Sequence, residues 1–438
     1  MQPVCRLKVG LLLCLPVLGC SSGGSDRGAM NQAGSGGTPA ASGGANVGAG
    51  QGGGAAGGAP AGAAGALSSG GMGGAGVSGS GGEGASGGSA GSGVSPSYII
   101  GADITSVQAA EARGATYSDG VKQDIFQLLK KHGFNYIRLR TFVDPRAADG
   151  YDRQDGYADL AHTVSFGKRV KAADLGLLLD FHYSDNWADP GKQCVPIAWQ
   201  SFTTIEQLAT ALHDYTKDAI TQLVAAGARP DMVQIGNEIT PGMLLHRCDS
   251  GGLPTGDNAV SGAISNWANL GALLKAGVQG VRDVDPSIKI MLHLDRGGDK
   301  GGYTGGALAV SESFITNAQK QGVEFDVFGE SCYQSYQGDP TSAANTKTDW
   351  TSTFAGLAAK FPNLRFVAAE YGPLQREIND VVFGLAAEAG AGTFNWEPTE
   401  QGDWNTGHSL FTASGNANTA TADLALYDAM KTAYQSRL

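Results

Sequence analysis

The stretch ITQLVAAGARPDMVQIGNE, Ile220 to Glu238, decides the fold. Its first half closes an amphipathic run that begins at Ile205 and keeps helical spacing to Ala226. Gly227 follows, the residue type that most readily takes the left-handed turn ending a helix. Its second half is a short apolar run, Met232 to Asn237, running into the carboxylate of Glu238. The same unit recurs on both sides. Candidate strands are Tyr98 to Asp103, Phe134 to Arg140, Gly176 to His182, Met232 to Asn237, Ile288 to Leu294, Phe325 to Ser331, Leu364 to Glu370 and Gly392 to Glu397. Alternation of short apolar runs with longer amphipathic ones predicts an α/β fold with a parallel sheet covered by helices. Eight units close most economically into a (β/α)8 TIM barrel, which leaves no edge strand unpaired. An open doubly wound sheet is the alternative, but no glycine-rich phosphate loop follows the first strand, which runs into Asp103 and Thr105.

Between the strands, Val121, Ile125, Leu128 and Leu129 fall on one helical face. Further helices are expected over Ile205 to Ala226, Trp267 to Val281, Ser311 to Gln321, Trp350 to Lys360, Ile378 to Ala389 and Asp423 to Tyr434. Gly133, Gly176, Gly227 and Gly322 are the expected left-handed helix ends.

Upstream of the barrel the composition changes. Nearly half of the 68 glycines lie between Ser21 and Pro96, a stretch of Gly, Ala and Ser whose charges are Asp26, Arg27 and Glu83. It has too little apolar surface to offset the entropy of ordering, so residues 21–96 read as a disordered linker spanning on the order of 50 Å. Before it, Arg6 and Lys8 precede the apolar run Val9 to Leu18, which is too short to span a bilayer but suits a signal-peptide core. Leu18, Gly19 and Cys20 resemble a bacterial lipobox. Residues 1–20 are therefore expected to be a lipoprotein signal with Cys20 lipidated, against the alternative of an ordinary signal peptide cleaved nearby. Ser21 favours the outer membrane or cell surface. The folded barrel domain is then expected over residues 97–438. In it, Cys194 and Cys248 could pair in an oxidising compartment, leaving Cys332 free, or all three could remain thiols. A net charge of −11 argues against nucleic acid and anionic membrane surfaces as partners and suits a neutral polymer.

A barrel of this kind places its active site at the C-terminal ends of the strands. There the candidate strands end in Asp103; Arg138 and Arg140; Asp180 and His182; Asn237 and Glu238; His293 and Asp295; Glu330 and Tyr333; Glu370; and Trp396 and Glu397. Ionisable groups concentrated at one rim cost desolvation unless they are paired or used. Two carboxylates on facing strands suit glycosidic bond cleavage, one protonating the leaving oxygen and the other attacking the anomeric carbon about 5–5.5 Å away in retaining enzymes. Trp187, Trp199, Trp396, Trp404, Tyr183, Tyr333 and Tyr336 fall in or beside the same loops, where their rings could stack on sugars.

The strings DFHYSDNWADPGKQ (Asp180 to Gln193), VQIGNEI (Val233 to Ile239), IMLHLD (Ile290 to Asp295) and WEP (Trp396 to Pro398) carry a resemblance that covers nearly the whole domain. GADITSV (Gly101 to Val107) and NYIRLRTFVDP (Asn135 to Pro145) extend it. Together they resemble glycoside hydrolase family 53, the endo-β-1,4-galactanases or arabinogalactan endo-β-1,4-galactanases. The resemblance implies Glu238 as acid/base and Glu370 as nucleophile in a retaining, endo-acting cleavage of β-1,4-galactosidic bonds. It further implies Asp103, Arg138, His182, Asp185, Trp187, Asn237, His293, Tyr333 and Trp396 as substrate-binding or orienting residues. The chain departs from the family pattern at Gln334 and Ser335 after Tyr333, in the short segment after Glu370, and at Asn395 and Glu400, which remove ring surface expected to line subsites.

An endo-hydrolase of another β-glycan on the same barrel, or a non-catalytic surface carbohydrate-binding protein, is the competing reading. No HExxH or zinc-type Cys/His spacing occurs in the sequence, so no cofactor is expected. A structural calcium in the last loop, as in some relatives, is left open. The expected partners are a galactan or arabinogalactan chain and, through the N-terminal lipid, a membrane, with the protein a monomer.

Overall fold

The structure, a computed structural model, describes residues 98–298, 306–334, 342–400 and 409–438. Cys20, the leader and linker readings, Ser335, Tyr336 and Trp404 lie outside the described residues. Eight parallel strands close into one barrel: β1 (Ile99–Asp103), β2 (Tyr136–Thr141), β3 (Gly176–Phe181), β4 (Met232–Ile235), β5 (Lys289–Leu294), β6 (Val327–Cys332), β7 (Arg365–Tyr371) and β8 (Gly390–Trp396). β8 closes on β1 in unbroken register, from Ile99 opposite Gly392 to Asp103 opposite Trp396. The helices that follow these strands are α1 (Ile125–Lys131), α2 (Leu160–Ala172), α3 (Ile205–Ala225), α4 (Trp267–Arg282), α5 (Gly306–Lys320), α6 (Ala343–Lys360), α7 (Gln375–Phe383) and α8 (Ala425–Ala433). Among the described residues none is long and apolar enough to cross a membrane.

Alternation along the strands divides the core in two. One set of residues, including Leu139, Leu179, Leu292 and Phe328, packs outward against helix residues such as Leu128, Ile220, Leu274 and Phe314. The other set points inward, where Ile99, Tyr136, Leu178, Met232, Met291, Val327, Val367 and Phe394 fill the barrel floor. Two residues further along, on the same inward face, stand Arg138, Asp180, Gln234 and His293. The floor is apolar and the mouth polar because each strand switches residue type halfway along.

Several sequence expectations shift. α1 starts at Ile125 rather than Val121, because the Asp124 carboxylate caps it by accepting from the N–H groups of Phe126 and Gln127; Val121 is left exposed. α5 begins at Gly306 and α6 at Ala343, ahead of their apolar spacing; in α6 the Ser342 hydroxyl caps the polar first turn through Asn345 N. α7 stops at Phe383, short of Ala389, because β8 starts at Gly390, where a side chain would meet the Val382 carbonyl. Gly133, Gly227 and Gly322 have positive φ as expected. Gly176 does not: Asp174 makes that turn at φ 54°, and Gly176 instead leaves room for the Tyr136 ring.

Candidate active site

Glu238 stands just past β4, at the end of the Gly236, Asn237, Glu238 turn. Gly236 (φ 82°) and Glu238 (φ 44°) are both left-handed. A non-glycine residue held there is a conformation found at functional sites, because the surroundings must enforce it. Glu397, just past β8, repeats it at φ 44°.

Glu370 reaches the lumen through a break in register. β6 and β7 pair Glu330 with Ala368 and then Ser331 with Glu370, skipping Ala369. In β7, Val367 and Ala369 face the barrel floor, so strict alternation would send Glu370 outward. The extra residue rotates the strand, turning Glu370 inward and sending Tyr371 out to Tyr427, whose hydroxyl lies 2.9 Å from its own.

Arg138 organises what lies beneath. Its Nη1 donates to Glu370 Oε1 at 2.9 Å and to Asp103 Oδ2 at 3.0 Å, while Nη2 donates to Asp180 Oδ2 and Asn237 Oδ1, both at 2.8 Å. Its Nε donates to Gln234 Oε1 at 3.2 Å. Asn237 is oriented from both ends, since its Nδ2 donates to the Ala188 carbonyl at 2.9 Å. His182 Nδ1 accepts from Ala188 N at 2.9 Å, so its Nε2 is the nitrogen that carries a proton toward Asp180, 3.1 Å away. On the other side of Glu370, the Tyr333 hydroxyl donates to Oε2 at 3.0 Å. The Ser331 hydroxyl donates to Glu238 Oε1 at 2.6 Å and lies 3.0 Å from His293 Nε2.

Burial dominates the electrostatics. It pushes Glu238 well above the usual carboxylate range, and the nearby Glu370 carboxylate adds to that, whereas Ser331 acts in the opposite sense. Glu370 is also raised by burial, but Arg138 opposes this and it reaches about 6. Near neutral pH the more strongly raised Glu238 therefore holds its proton while Glu370, raised less, has largely lost it, as an acid and a nucleophile require. Burial also forces His293 well below its ordinary value, so it is a neutral donor and acceptor.

The cleft wall is aromatic. Trp187 and Trp396 meet edge to face with centroids 6.0 Å apart, and Tyr333 lies 6.3 Å from Trp396 in the same manner. The Arg140 guanidinium covers the Trp187 ring at 4.2 Å and pairs with Glu397 and Asp103.

The structure therefore gathers Glu238, Glu370, Asn237, Arg138, His182, His293, Tyr333, Trp187 and Trp396 at one mouth, with Asp103 and Asp185 in other roles. Asp103 is fully buried under both arginines and binds Thr105 N and Oγ1, so it braces the site rather than touching a substrate. Asp185 gives its two oxygens to Asp144 N and Ile197 N, joining two loops instead of forming a subsite. Glu330 faces outward and bonds Ser311 on α5. Tyr183 and Trp199 are core residues, Tyr183 bonding Thr216 on α3. Asn395 points away from the mouth to the Tyr427 hydroxyl, so it removes no ring surface from the cleft. Sequence reading missed Gln234, whose amide joins Asp180 and Asn237, and Ser331. For both, the available signal was two-residue alternation with Met232 and with Val327. Cys194 and Cys248 form a disulfide with Cα atoms 5.9 Å apart, and Cys332 is a buried thiol. Among the described residues no three metal-ligating side chains cluster.

Comparison with known proteins gives the site its context. An arabinogalactan endo-β-1,4-galactanase of Thermothelomyces thermophilus is 32% identical over 351 residues, 72% of this chain and 96% of that protein. An endo-β-1,4-galactanase of Bacillus subtilis is 30% identical over 332 residues, 70% of this chain and 71% of that one. A solved structure of fungal β-1,4-galactanases superposes with a TM-score of 0.61 at 28% identity, over 76% of this chain and 99% of its own. The Ignisphaera aggregans family 53 catalytic domain gives 0.63 at 26% identity, over 77% and 97%. The model of glycosyl hydrolase family 53 matches residues 99–435, and the chain belongs to that family and is a glycosidase.

Proposed function

We propose that the protein hydrolyses β-1,4-galactosidic bonds within galactan or arabinogalactan, with retention of configuration. The observation that carries this is a pair of buried carboxyls at one barrel mouth, of which Glu238 is raised well above the usual range and Glu370, held by Arg138, only to about 6. The galactanase names of relatives at 30% identity or more support the substrate.

In the first step Glu238 gives its proton to the leaving glycosidic oxygen as the Glu370 carboxylate bonds to the anomeric carbon. Arg138 and Tyr333, donating to the two oxygens of Glu370, keep that group anionic and aimed. In the second step Glu238, now ionised, takes a proton from water, whose oxygen bonds to the anomeric carbon and releases Glu370. Asn237, held by Arg138 and the Ala188 carbonyl, has an amide hydrogen left for a sugar hydroxyl, and Trp187 and Trp396 offer stacking faces. Side chains and water complete both steps, so no cofactor is required. The lipobox-like Leu18, Gly19 and Cys20 and the glycine-rich stretch behind them support an exported, lipid-tethered enzyme at the cell surface.

Digestion of linear galactan, followed by size separation and proton NMR of the new reducing ends, tests the reading. Internal cleavage with β product first is expected, and Glu370→Gln should lower the rate more than about a thousandfold. Initial α product, or a panel in which mannan or xylan is cut and galactan is not, would overturn it.

A further inference from the structure

Glu238 needs opposite properties in the two halves of the proposed reaction, a firmly held proton in the first and an ionised carboxylate in the second. Its surroundings mostly favour the proton. Glu370 from β7, Asp295 beyond β5 and Asp189 from the loop after β3 all face it with negative charge, and burial acts in the same direction. Among the described residues no arginine or lysine donates to it, and the hydrogen bond to its side chain comes from Ser331 Oγ, at 2.6 Å.

Ser331 is fully buried on β6, opposite Glu370 across the register break. Its own hydroxyl is directed by His293, whose Nε2 lies 3.0 Å away. The other nitrogen of that ring, Nδ1, accepts the backbone N–H of Glu238 at 3.4 Å and lies 3.1 Å from the Gln234 amide nitrogen. Asn237 Oδ1, 2.9 Å from Nδ1, already receives Arg138 Nη2. The backbone N–H of Glu238 is aimed at Nδ1 and makes that nitrogen the acceptor, so the neutral ring carries its proton on Nε2 and donates it to Ser331 Oγ. The single hydroxyl proton of Ser331 is then directed to Glu238 Oε1. The hydrogen bonds form a closed circuit, from Glu238 N–H through the His293 ring and Ser331 back to the carboxyl of Glu238.

We propose that Ser331 is a positioning residue for Glu238: it holds Oε1, leaves Oε2 to carry the transferable proton, and donates to the carboxylate when Glu238 must act as base. This rests on the assignment of Glu238 as acid/base and adds a residue that acts through it. A neutral donor suits the role, because a cation there would strip the proton from Glu238 in the first step, whereas no donor would leave the second step without an ionised base.

The test compares Ser331→Ala and Ser331→Cys with the unaltered enzyme and with Glu238→Ala. Rates are measured across pH on linear galactan and on aryl β-galactobiosides with good and poor leaving groups. Loss of the hydroxyl should move the alkaline limb of kcat/KM to higher pH by about one unit, with a smaller shift for the poorer thiol donor. It should also lower kcat about tenfold or more on the good leaving group, whose turnover is limited by the base-assisted second step. Ser331→Cys nearly preserves volume, so the limb can still be read if the alanine variant does not fold. Limbs that stay in place, or move to lower pH, would overturn the proposal. A Glu238→Ala enzyme with undiminished rate on the poor leaving group would instead sink the acid/base assignment on which it rests.

Discussion

Arg138 and Arg140 bring two positive charges into a space closed to water, where Asp103, Asp180, Glu370 and Glu397 surround them. Four carboxyls around two guanidinium groups cannot all stay ionised cheaply when buried. The structure resolves the excess unevenly. Asp180, though buried, is held below its ordinary value by Arg138 and His182, while burial carries Glu397 to about 7 against the pull of Arg140. Glu370 falls between them, at about 6. The sign for activity follows: as pH falls through that value the nucleophile gains a proton and the rate falls tenfold per unit, and at high pH the rate falls as Glu238 loses its proton. A bell-shaped kcat/KM profile with an acid limb near 6 is expected. Tyr333→Phe removes a donor to the Glu370 carboxylate, so the acid limb should move upward by roughly half to one unit with the alkaline limb little changed. A steady-state pH series on galactan reads both limbs, and an acid limb that moves down would contradict the role given to Tyr333.

At the scale of elements, the β6 and β7 pair shows what the sequence reveals and what it hides. The apolar runs that mark the strands are plain in composition, as are Glu238 and Glu370 at strand ends, because barrel closure puts every strand end at one mouth. The facing of single residues near the break is not legible, since one skipped partner, Ala369, reverses inside and outside for all that follows. Glu330 precedes the break and obeys plain alternation with inward-facing Val327, which sends it outward to α5. There its carboxyl lies 2.5 Å from Ser311 Oγ, accepts Arg296 N at 3.0 Å, and is pushed by burial to about 8. The folded protein then binds a proton that the unfolded chain releases near its ordinary value. A carboxyl raised in this way contributes fully below about 4.5, and stability is lost as pH rises from there to about 8, by ~1.4 kcal/mol per unit within that window. Glu330→Gln keeps both hydrogen bonds without the titration. Thermal melts at pH 5 and pH 8 should therefore show a smaller loss in the variant than in the unaltered protein; equal losses would mean that Glu330 does not carry the buried proton.

At the scale of the whole domain, the barrel closes where its first strand meets its last. β1 pairs with β8 on one side and β2 on the other, and just before β1 the N–H of Tyr98 donates to the Arg437 carbonyl at 2.8 Å. The Tyr98 ring packs edge-on against Phe383 of α7 and Tyr434 beyond α8, and its hydroxyl donates to the Asn379 carbonyl at 2.9 Å. Tyr98 therefore anchors the first strand to the last two helices, and the stretch from Ser21 to Val94 is mostly Gly, Ala and Ser, with little apolar surface to bury. Removing residues up to 94 should leave the melting temperature and the galactan turnover of the soluble enzyme unchanged. Removing residues through 100 deletes Tyr98 and two residues of β1, opening the barrel along β8, and should abolish cooperative melting. Calorimetry on the two shortened chains separates these outcomes. A chain starting at Ser95 that melted well below the full protein would mean that the glycine-rich segment supports the barrel, contrary to the entropy argument from its composition.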